Sequence, residues 1–265
     1  MTAFDAGTAL ARTGERRSRA QVTARWSNGD GPGINGGLFA ALAARAVADE
    51  TGLPPRSLTI HYLAAPEVGE VELAVSIPRQ GRTTAFARLE VSQDGRHVAQ
   101  AMAVCTAWRD DAPAFADAPR PDVPALEDCT PVDPGHPRVP PLLSNYEMRV
   151  AIDPERRPVA LGGWIRTREP RPVDHVALAA MTDAFIPPAF FRPAERVLVP
   201  TLELTIHFRG EPPAGEHPWI QGFFTSRTAA GGVVEEDGEL WSADGVLLVQ
   251  SRQLSVMRRA PGAPG

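Results

Sequence analysis

The chain has 265 residues, 43% of them hydrophobic, which is enough for one large domain or two small ones with buried cores. Its formal net charge is −5, so it lacks the strongly basic character of nucleic-acid-binding proteins, and a nucleic-acid partner is not expected. Two cysteines, Cys105 and Cys129, are too few for a disulfide framework or a zinc site, and all 27 basic residues are arginine, which indicates GC-rich coding and a bacterial source.

The N-terminal segment shows none of the features of a targeting sequence. Residues 1–20 lack the apolar core of a signal peptide, and no later run approaches the roughly 18 apolar residues that a membrane span requires. We therefore expect a soluble, cytoplasmic protein in a reducing compartment.

The first motif along the chain is Gly31-Pro32-Gly33-Ile34-Asn35-Gly36, which has the G-x-G-x-x-G spacing of dinucleotide-binding loops. It follows a predicted strand over 20–26 and opens an alanine-rich helix predicted over 36–50. A dinucleotide site also needs an acidic residue at the end of the next strand, but Asp49 and Glu50 come before that strand. The glycines are therefore interpreted as the entry to a helix.

Four strand-like segments follow this helix, with short connections between them. Asp94-Gly95 is a hairpin turn signal, because the second position of such a turn favours a positive backbone φ. Short links join antiparallel neighbours, whereas a Rossmann sheet needs a helix between successive strands. The first half is therefore predicted to be one helix against an antiparallel sheet, with strands at 56–64, 69–77, 83–91 and 97–108.

A proline-rich stretch divides the chain. Residues 113–141 contain 9 prolines in 29 positions and show no apolar periodicity. Because proline lacks an amide donor and fixes φ, such a run is excluded from a helix or a sheet interior. We expect an extended surface linker over 113–142 between an N-terminal domain, 1–112, and a C-terminal domain, 143–265.

The second half repeats the first. The segment LTIHYL at 58–63 returns as LTIHFR at 204–209, an offset of 204 − 58 = 146, and the turn at Asp94 returns at Asp244, an offset of 244 − 94 = 150. Two similar offsets in the same order indicate a duplicated domain. The second half is accordingly predicted to contain a helix over 174–186 and strands at 199–209, 217–227, 231–242 and 246–257.

Three segments carry a resemblance to a known family: NGG at the start of the first helix, GRTTAFARLEVSQDGRHVAQA at 81–101 and DGVLLVQSRQ at 244–253. Their order and spacing, over about residues 20–257, resemble those of the type II acyl-CoA thioesterases. The resemblance implies an α+β tandem (double) hotdog fold, in which each half is a central helix wrapped by an antiparallel sheet. It also implies hydrolysis of an acyl-CoA thioester by water without a metal or organic cofactor, using an Asp, a Thr or Ser, and a Gln in the second hotdog.

The family's aspartate falls on Asp183, late in the second predicted helix. Its surroundings, VALAAMTDAF, are nearly all apolar, and a buried carboxylate is costly unless it has a task or a partner. It also lies near the end of the predicted helix, where the macrodipole disfavours negative charge. Both effects raise the expected pKa of Asp183, which suits a general base.

The family's hydroxyl falls on Thr201, at the start of the segment TLELT. Family members often have an Asp-His-Ser arrangement after this residue, and this chain does not. Strand alternation places Thr201 and Thr205 on the same face, so Thr205 is an alternative for the same role.

The family's glutamine falls on Gln253, on a predicted face that also carries two serines. Gln250 is a nearby competitor, but side chains three residues apart on a strand point to opposite faces. We expect Asp183 to accept a proton from a water molecule held by Thr201 and Gln253, and this water to attack the thioester carbonyl.

The glycines that open the first helix complete this predicted site. Backbone amides at a helix N-terminus stabilise an oxyanion, and glycine allows close approach. We expect Gly36 and Gly37 to hold the thioester carbonyl of the acyl-CoA substrate. Gly37 is also expected to lie opposite Asp183, because 183 − 37 = 146 is the offset of the repeated strand.

Two alternative functions remain open at this stage. A non-catalytic acyl or acyl-CoA binding protein would keep the fold without the water site. A hotdog enoyl-CoA hydratase or dehydratase usually has an Asp-x-x-x-x-His pattern at the start of a central helix, and INGGLFAALAA contains no such pair.

The apolar strand residues lead to a prediction about assembly. Trp108, Phe223 and Phe224 are expected on strands that cannot bury both faces within one hotdog, and unpaired sheet edges need covering. We therefore expect a homodimer or a larger homo-oligomer, detectable by light scattering at micromolar concentration. A single species near the chain mass of 28.4 kDa would reject this expectation.

Overall fold

A computed structural model describes residues 1–29, 33–151, 160–193 and 196–260. Within these ranges it contains three α-helices, which are α1 (Ala3–Gly7), α2 (Gly36–Thr51) and α3 (His175–Met181). No helix of the described ranges is long and apolar enough to cross a membrane. Gly31 and Pro32, which begin the glycine motif, lie outside the described residues.

Sixteen strands lie within the described ranges. Six precede the proline-rich stretch: β1 (Ala11–Gly14), β2 (Arg17–Val22), β3 (Pro55–Tyr62), β4 (Gly69–Gln80), β5 (Thr84–Gln93) and β6 (Arg96–Thr106). The others are β7 (Thr130–Pro131), β8 (Tyr146–Ala151), β9 (Ala160–Thr167), β10 (Val197–Leu198), β11 (Thr201–Phe208), β12 (Ile220–Thr225), β13 (Ala229–Ala230), β14 (Val233–Ser242), β15 (Leu247–Val256) and β16 (Arg258–Arg259).

Fourteen of the described strands form one antiparallel sheet in the order β1-β2-β4-β5-β6-β3-β11-β15-β14-β12-β9-β8-β7, with β13 paired to β14. β10 and β16 form a separate pair. The two central helices, α2 and α3, pack against each other inside this sheet. The arrangement confirms the predicted α+β fold, a central helix wrapped by an antiparallel sheet in each half.

The first central helix, α2, is buried along nearly its whole length. Six alanines within it let the sheet and α3 approach the helix backbone closely. The helix ends at Gly52, whose φ of 68° is the left-handed conformation that glycine adopts at low cost, and whose N–H donates to the Ala48 carbonyl. The observed range agrees with the helix predicted over 36–50.

The second central helix, α3, is shorter than the sequence predicted. It begins after Asp174, whose carboxylate accepts the Ala177 N–H at 2.7 Å, and it ends at Met181 rather than near 186. Thr182 donates its hydroxyl to the Ala179 carbonyl, and the N–H of Asp183 bonds three residues back instead of four. Asp183 therefore lies in the turn after the helix.

The two halves join through β3 and β11. Leu58 faces Ile206, Thr59 faces Thr205, and Ile60 faces Leu204, so the pairing is symmetric about Thr59 and Thr205. The hydroxyls of these two threonines lie 3.0 Å apart, and their numbers differ by 146, the offset of the sequence repeat. A pseudo-twofold axis thus passes between them, as the duplication predicts.

The proline-rich stretch packs on the second half of the sheet. The Arg120 guanidinium donates to the Gln221 side-chain oxygen at 2.6 and 3.0 Å, and the Trp164 indole N–H donates to the Pro124 carbonyl at 2.9 Å. Val123 lies so close to Gly162 that a Cβ on Gly162 would come within 2.8 Å of it. The linker bounds of 113 and 142, and the domain boundaries that they set, stay a prediction.

Phe224, one of the aromatic residues that the assembly prediction placed on an outer surface, is buried. Phe224 is 1% exposed and stacks on Phe185 at 4.9 Å, so it belongs to the core and not to an outer face. The outer face of the first half instead exposes Phe86 and Met102, which are 43% and 62% exposed. Oligomerisation stays a prediction, with these two residues in place of Phe224 among the surfaces that an assembly would cover.

Leu204 and Leu202 provide a matched test of the join between the halves. Leu204 on β11 is fully buried, and its truncation to alanine should lower the free energy of unfolding by about 2–5 kcal/mol through lost burial and a cavity. Leu202 is 39% exposed, and Leu202→Ala should cost much less. Equal losses in urea unfolding of the two variants would contradict the described packing.

Candidate active site

The site is built around the carboxylate of Asp183, which lies between the turn after α3 and the amino end of α2. Its Oδ2 accepts hydrogen bonds from the Gly37 backbone N–H at 3.0 Å and from the Asn35 amide at 2.9 Å. Its Oδ1 accepts from the Gln253 amide at 2.9 Å. Donors from two separate parts of the chain, the start of α2 and strand β15, therefore converge on one carboxylate.

Burial raises the pKa of Asp183, while the hydrogen bonds from Gln253, Gly37, Gly36 and Asn35 lower it, and the net direction is upward. The sequence predicted the raised pKa correctly but gave one wrong reason for it. The macrodipole of α3 was expected to disfavour the charge on Asp183. The carboxylate also lies at the amino end of α2, however, and the macrodipole of α2 favours a negative charge there.

Thr201 and Gln253 extend the site as a chain of hydrogen bonds. The Thr201 hydroxyl donates to the Gln253 side-chain oxygen at 2.8 Å, and the nitrogen of the same carboxamide donates to Asp183. Gln253 is 3% exposed, so its carboxamide satisfies its polar atoms within the protein. The structure thus brings together the three residues predicted to be catalytic.

A β-bulge explains how Thr201 reaches this site. Thr201 pairs with Ser255, whereas Glu203 pairs with Leu254, so one extra residue lies between them on β11. The bulge turns Thr201 toward Gln253 and leaves Thr205 on the outer face, where its hydroxyl bonds to Thr59 and to Glu203. The prediction that Thr201 and Thr205 share a face was wrong, and only Thr201 contacts Gln253.

Gln250, the competitor of Gln253, lies on the other face of β15. Its side chain interacts with Glu239 and Arg209, away from Asp183. The argument from strand alternation therefore separated the two glutamines correctly.

The glycines at the start of α2 let the helix approach Asp183. A Cβ on Gly37 would come within 2.6 Å of the Ala180 carbonyl, and one on Gly36 within 2.9 Å of the Tyr62 ring, so neither position has room for a side chain. The Gly37 N–H is already bonded to the carboxylate of Asp183, the residue predicted to lie opposite it. The role of Gly36 and Gly37 in holding a thioester carbonyl stays a prediction.

Sequence reasoning missed two polar residues of the site, Asn35 and Glu236. Asn35 precedes a helix and suggests an ordinary N-cap, but its side chain makes no capping bond and instead donates to the carboxylate and the carbonyl of Asp183. Glu236 is 7% exposed and faces Gln253 across the β14–β15 pair. Alternation along β14 places Glu236 on the inward face with Val234 and Leu240, and this was the available signal.

Both halves of the chain match models of one protein family. Residues 9–109 match the acyl-CoA thioesterase N-terminal domain, and residues 121–257 match the acyl-CoA thioesterase C-terminal domain. The chain belongs to the acyl-CoA thioesterase family. The matched ranges of this thioesterase family include Asp183, Thr201 and Gln253, whose catalytic roles stay predictions.

The chain is also similar to two solved structures and to a protein known from its sequence. A conserved hotdog protein of unknown function from Alicyclobacillus acidocaldarius is 29% identical, with a TM-score of 0.88 over 98% of this chain and 99% of its own. A putative thioesterase II from Thermobifida fusca is 25% identical, with a TM-score of 0.85 over 98% of each chain. An uncharacterised protein of Mycobacterium tuberculosis is 26% identical over 263 residues, which cover 86% of this chain and 87% of that protein.

The substitution Asn35→Asp tests the hydrogen bonds around the carboxylate. It removes an amide donor and places a second carboxylate beside Asp183, so the pKa of Asp183 should rise further. The measurement is a pH titration of the Asp183 carboxyl carbon by NMR, with the signal identified by its loss in Asp183→Asn. Asn28→Asp is the matched control, because Asn28 is one hydrogen bond further from Asp183 and the change should be smaller. An unchanged titration in Asn35→Asp would refute the described contacts.

Proposed function

We propose that this protein hydrolyses an acyl-CoA thioester to a free acid and coenzyme A. The observation that carries the proposal is the continuous set Thr201–Gln253–Asp183, which is linked by two hydrogen bonds of 2.8 and 2.9 Å within a chain of the thioesterase family. A buried carboxylate with a raised pKa is a typical general base.

In the proposed reaction, Asp183 accepts a proton from a water molecule as the water oxygen attacks the thioester carbonyl. Thr201 and Gln253 position the water and the base. The tetrahedral intermediate then collapses, the carbon–sulfur bond breaks, and the coenzyme A thiolate leaves. The proton held by Asp183 passes to the thiolate or to solvent, which returns Asp183 to its charged form.

The amino end of α2 supplies the electrostatic part of this proposal. The negative charge that develops on the thioester oxygen is stabilised by helix N-terminal amides and by the positive end of the helix dipole. Gly36 and Gly37 have no side chains, so this helix end lies directly against Asp183, and the proposed oxyanion would form beside the base. The same helix end thus serves both the base and the proposed oxyanion.

One experiment separates hydrolysis from the two alternative functions. The purified protein is incubated with a panel of acyl-CoA and enoyl-CoA thioesters in the presence of a thiol reagent. Release of free coenzyme A identifies a thioesterase, and formation of a hydrated acyl-CoA without thiol release identifies a hydratase. Saturable binding without either product identifies a non-catalytic acyl-CoA binding protein and overturns the proposal.

The substitution Asp183→Asn should lower kcat by about 10²–10⁴-fold, because the amide is similar in size but cannot accept the proton. Asp174→Asn is the control at the other end of α3, since asparagine is also a good N-cap and Asp174 makes no contact with Gln253 among the described interactions. Thermal unfolding checks that both variants are folded. A folded Asp183→Asn variant with wild-type turnover would exclude Asp183 as the base.

A further inference from the structure

The buried carboxyl group of Glu236 has no part in the mechanism described so far. It lies on the inward face of β14, directly across the strand pair from Gln253, and its side chain is almost completely buried. Its Oε1 lies 3.4 Å from the Gln253 side-chain nitrogen, and its Oε2 is buried without a hydrogen-bond partner among the residues that the structure describes. A buried polar atom of this kind usually has a functional or structural explanation.

The Gln253 carboxamide is held in one orientation by its three neighbours. Its nitrogen has two protons, one directed to Asp183 Oδ1 at 2.9 Å and the other to Glu236 Oε1 at 3.4 Å, while its oxygen accepts from Thr201. Rotation of the amide by 180° would place its oxygen against two carboxyl groups. The observed orientation is therefore favoured while Asp183 is ionised, because a carboxylate accepts hydrogen bonds and has no proton to donate to the amide oxygen.

The charges around Glu236 favour its neutral form. Burial raises the pKa of Glu236 well above its usual range, and the negative charges of Asp183, Glu235 and Asp237 raise it further. The charge of Asp237 is partly balanced by Arg252, which bonds to it at 2.6 and 2.7 Å. Two carboxylates around one amide group would repel each other, so one proton is retained while Asp183 is ionised.

The two distances from Gln253 fit this division of charge. A charged carboxylate is a stronger hydrogen-bond acceptor than a neutral carboxyl group, and the amide nitrogen is 2.9 Å from Asp183 but 3.4 Å from Glu236. If Glu236 lost its proton, it would become as strong an acceptor as Asp183 and would draw the Gln253 amide nitrogen toward itself and away from Asp183.

We propose that Glu236 is a positioning residue that, in its uncharged form, holds the Gln253 carboxamide toward Asp183, and that ionisation of Glu236 with rising pH releases this hold and lowers turnover. The effect on turnover rests on the proposed thioester hydrolysis, whereas the effect on Gln253 does not. Glu236 is neutral below its raised pKa, so its hold on Gln253 is present at lower pH and is lost as the pH rises through that value.

Glu239 provides a matched control on the same strand. It faces Gln250 across the β14–β15 pair and accepts a hydrogen bond from the Gln250 amide, as Glu236 does from Gln253, but on the outer face. Glu236→Gln and Glu239→Gln therefore make the same substitution in two cross-strand Glu–Gln pairs, of which only one touches Asp183.

The first test does not depend on catalysis. The side-chain amide signals of Gln253, identified by their loss in Gln253→Glu, are followed by NMR across a pH titration. In the wild type and in Glu239→Gln they should show a titration step that belongs to Glu236, and in Glu236→Gln this step should be absent. Identical titration steps in the wild type and in Glu236→Gln would overturn the inference, whatever the enzymatic activity.

The second test measures kcat and KM against pH with an acyl-CoA that the wild type hydrolyses. Glu236→Gln should lack the fall in kcat that the wild type shows as the pH rises, whereas Glu236→Ala should lower kcat about tenfold at an unchanged KM, the effect of one lost buried hydrogen bond. A folded Glu236→Gln variant as inactive as Asp183→Asn at neutral pH would show that a charged Glu236 is needed and would overturn the inference. If the wild type hydrolysed none of the thioesters, the proposed function would fail, and the NMR titration would still decide the role of Glu236.

Discussion

The candidate site of this protein depends on one contact, in which the Asp183 carboxylate of the second half binds the amino end of α2 in the first half. Burying a carboxylate is costly unless donors replace the lost water, and here the donors are the start of α2, Asn35 and Gln253. The contact requires two glycines without side chains, a turn directly after α3, and the β3–β11 join that fixes the distance between the halves. The candidate site therefore exists only because the two halves fold together.

The sequence predicted the large-scale features well because they repeat. The offset of 146 between the LTIH segments is the offset of the facing threonines Thr59 and Thr205, so the duplication located the join and the pseudo-twofold axis. Alternation along β15 separated Gln253 from Gln250 because side chains point to opposite faces in turn wherever a strand is regular. The family resemblance then supplied the aspartate and the threonine.

The errors arose where local backbone geometry departs from a regular period. The bulge after Thr201 places the Thr201 side chain on the opposite face from that expected, and no feature of TLELT indicates a bulge. The early end of α3 depends on side-chain bonding by Thr182, which propensity does not register. Asn35 and Glu236 were missed because their roles depend on residues distant in sequence, and a single strand or cap motif carries no information about its partner.

The pseudo-twofold axis also has a consequence for stoichiometry. Gln253 faces Leu204 and Glu236, and the strand register maps these positions onto Ala103, which faces Leu58 and Ala87. Where one half has a carboxamide and a carboxyl group, the other has two methyl groups that are 2% and 5% exposed. The symmetry of the backbone is thus not matched by symmetry of the chemistry, because the second position is filled with hydrocarbon. Under the proposed function, each chain turns over one thioester at a time, although its backbone was built from two copies of the same scaffold.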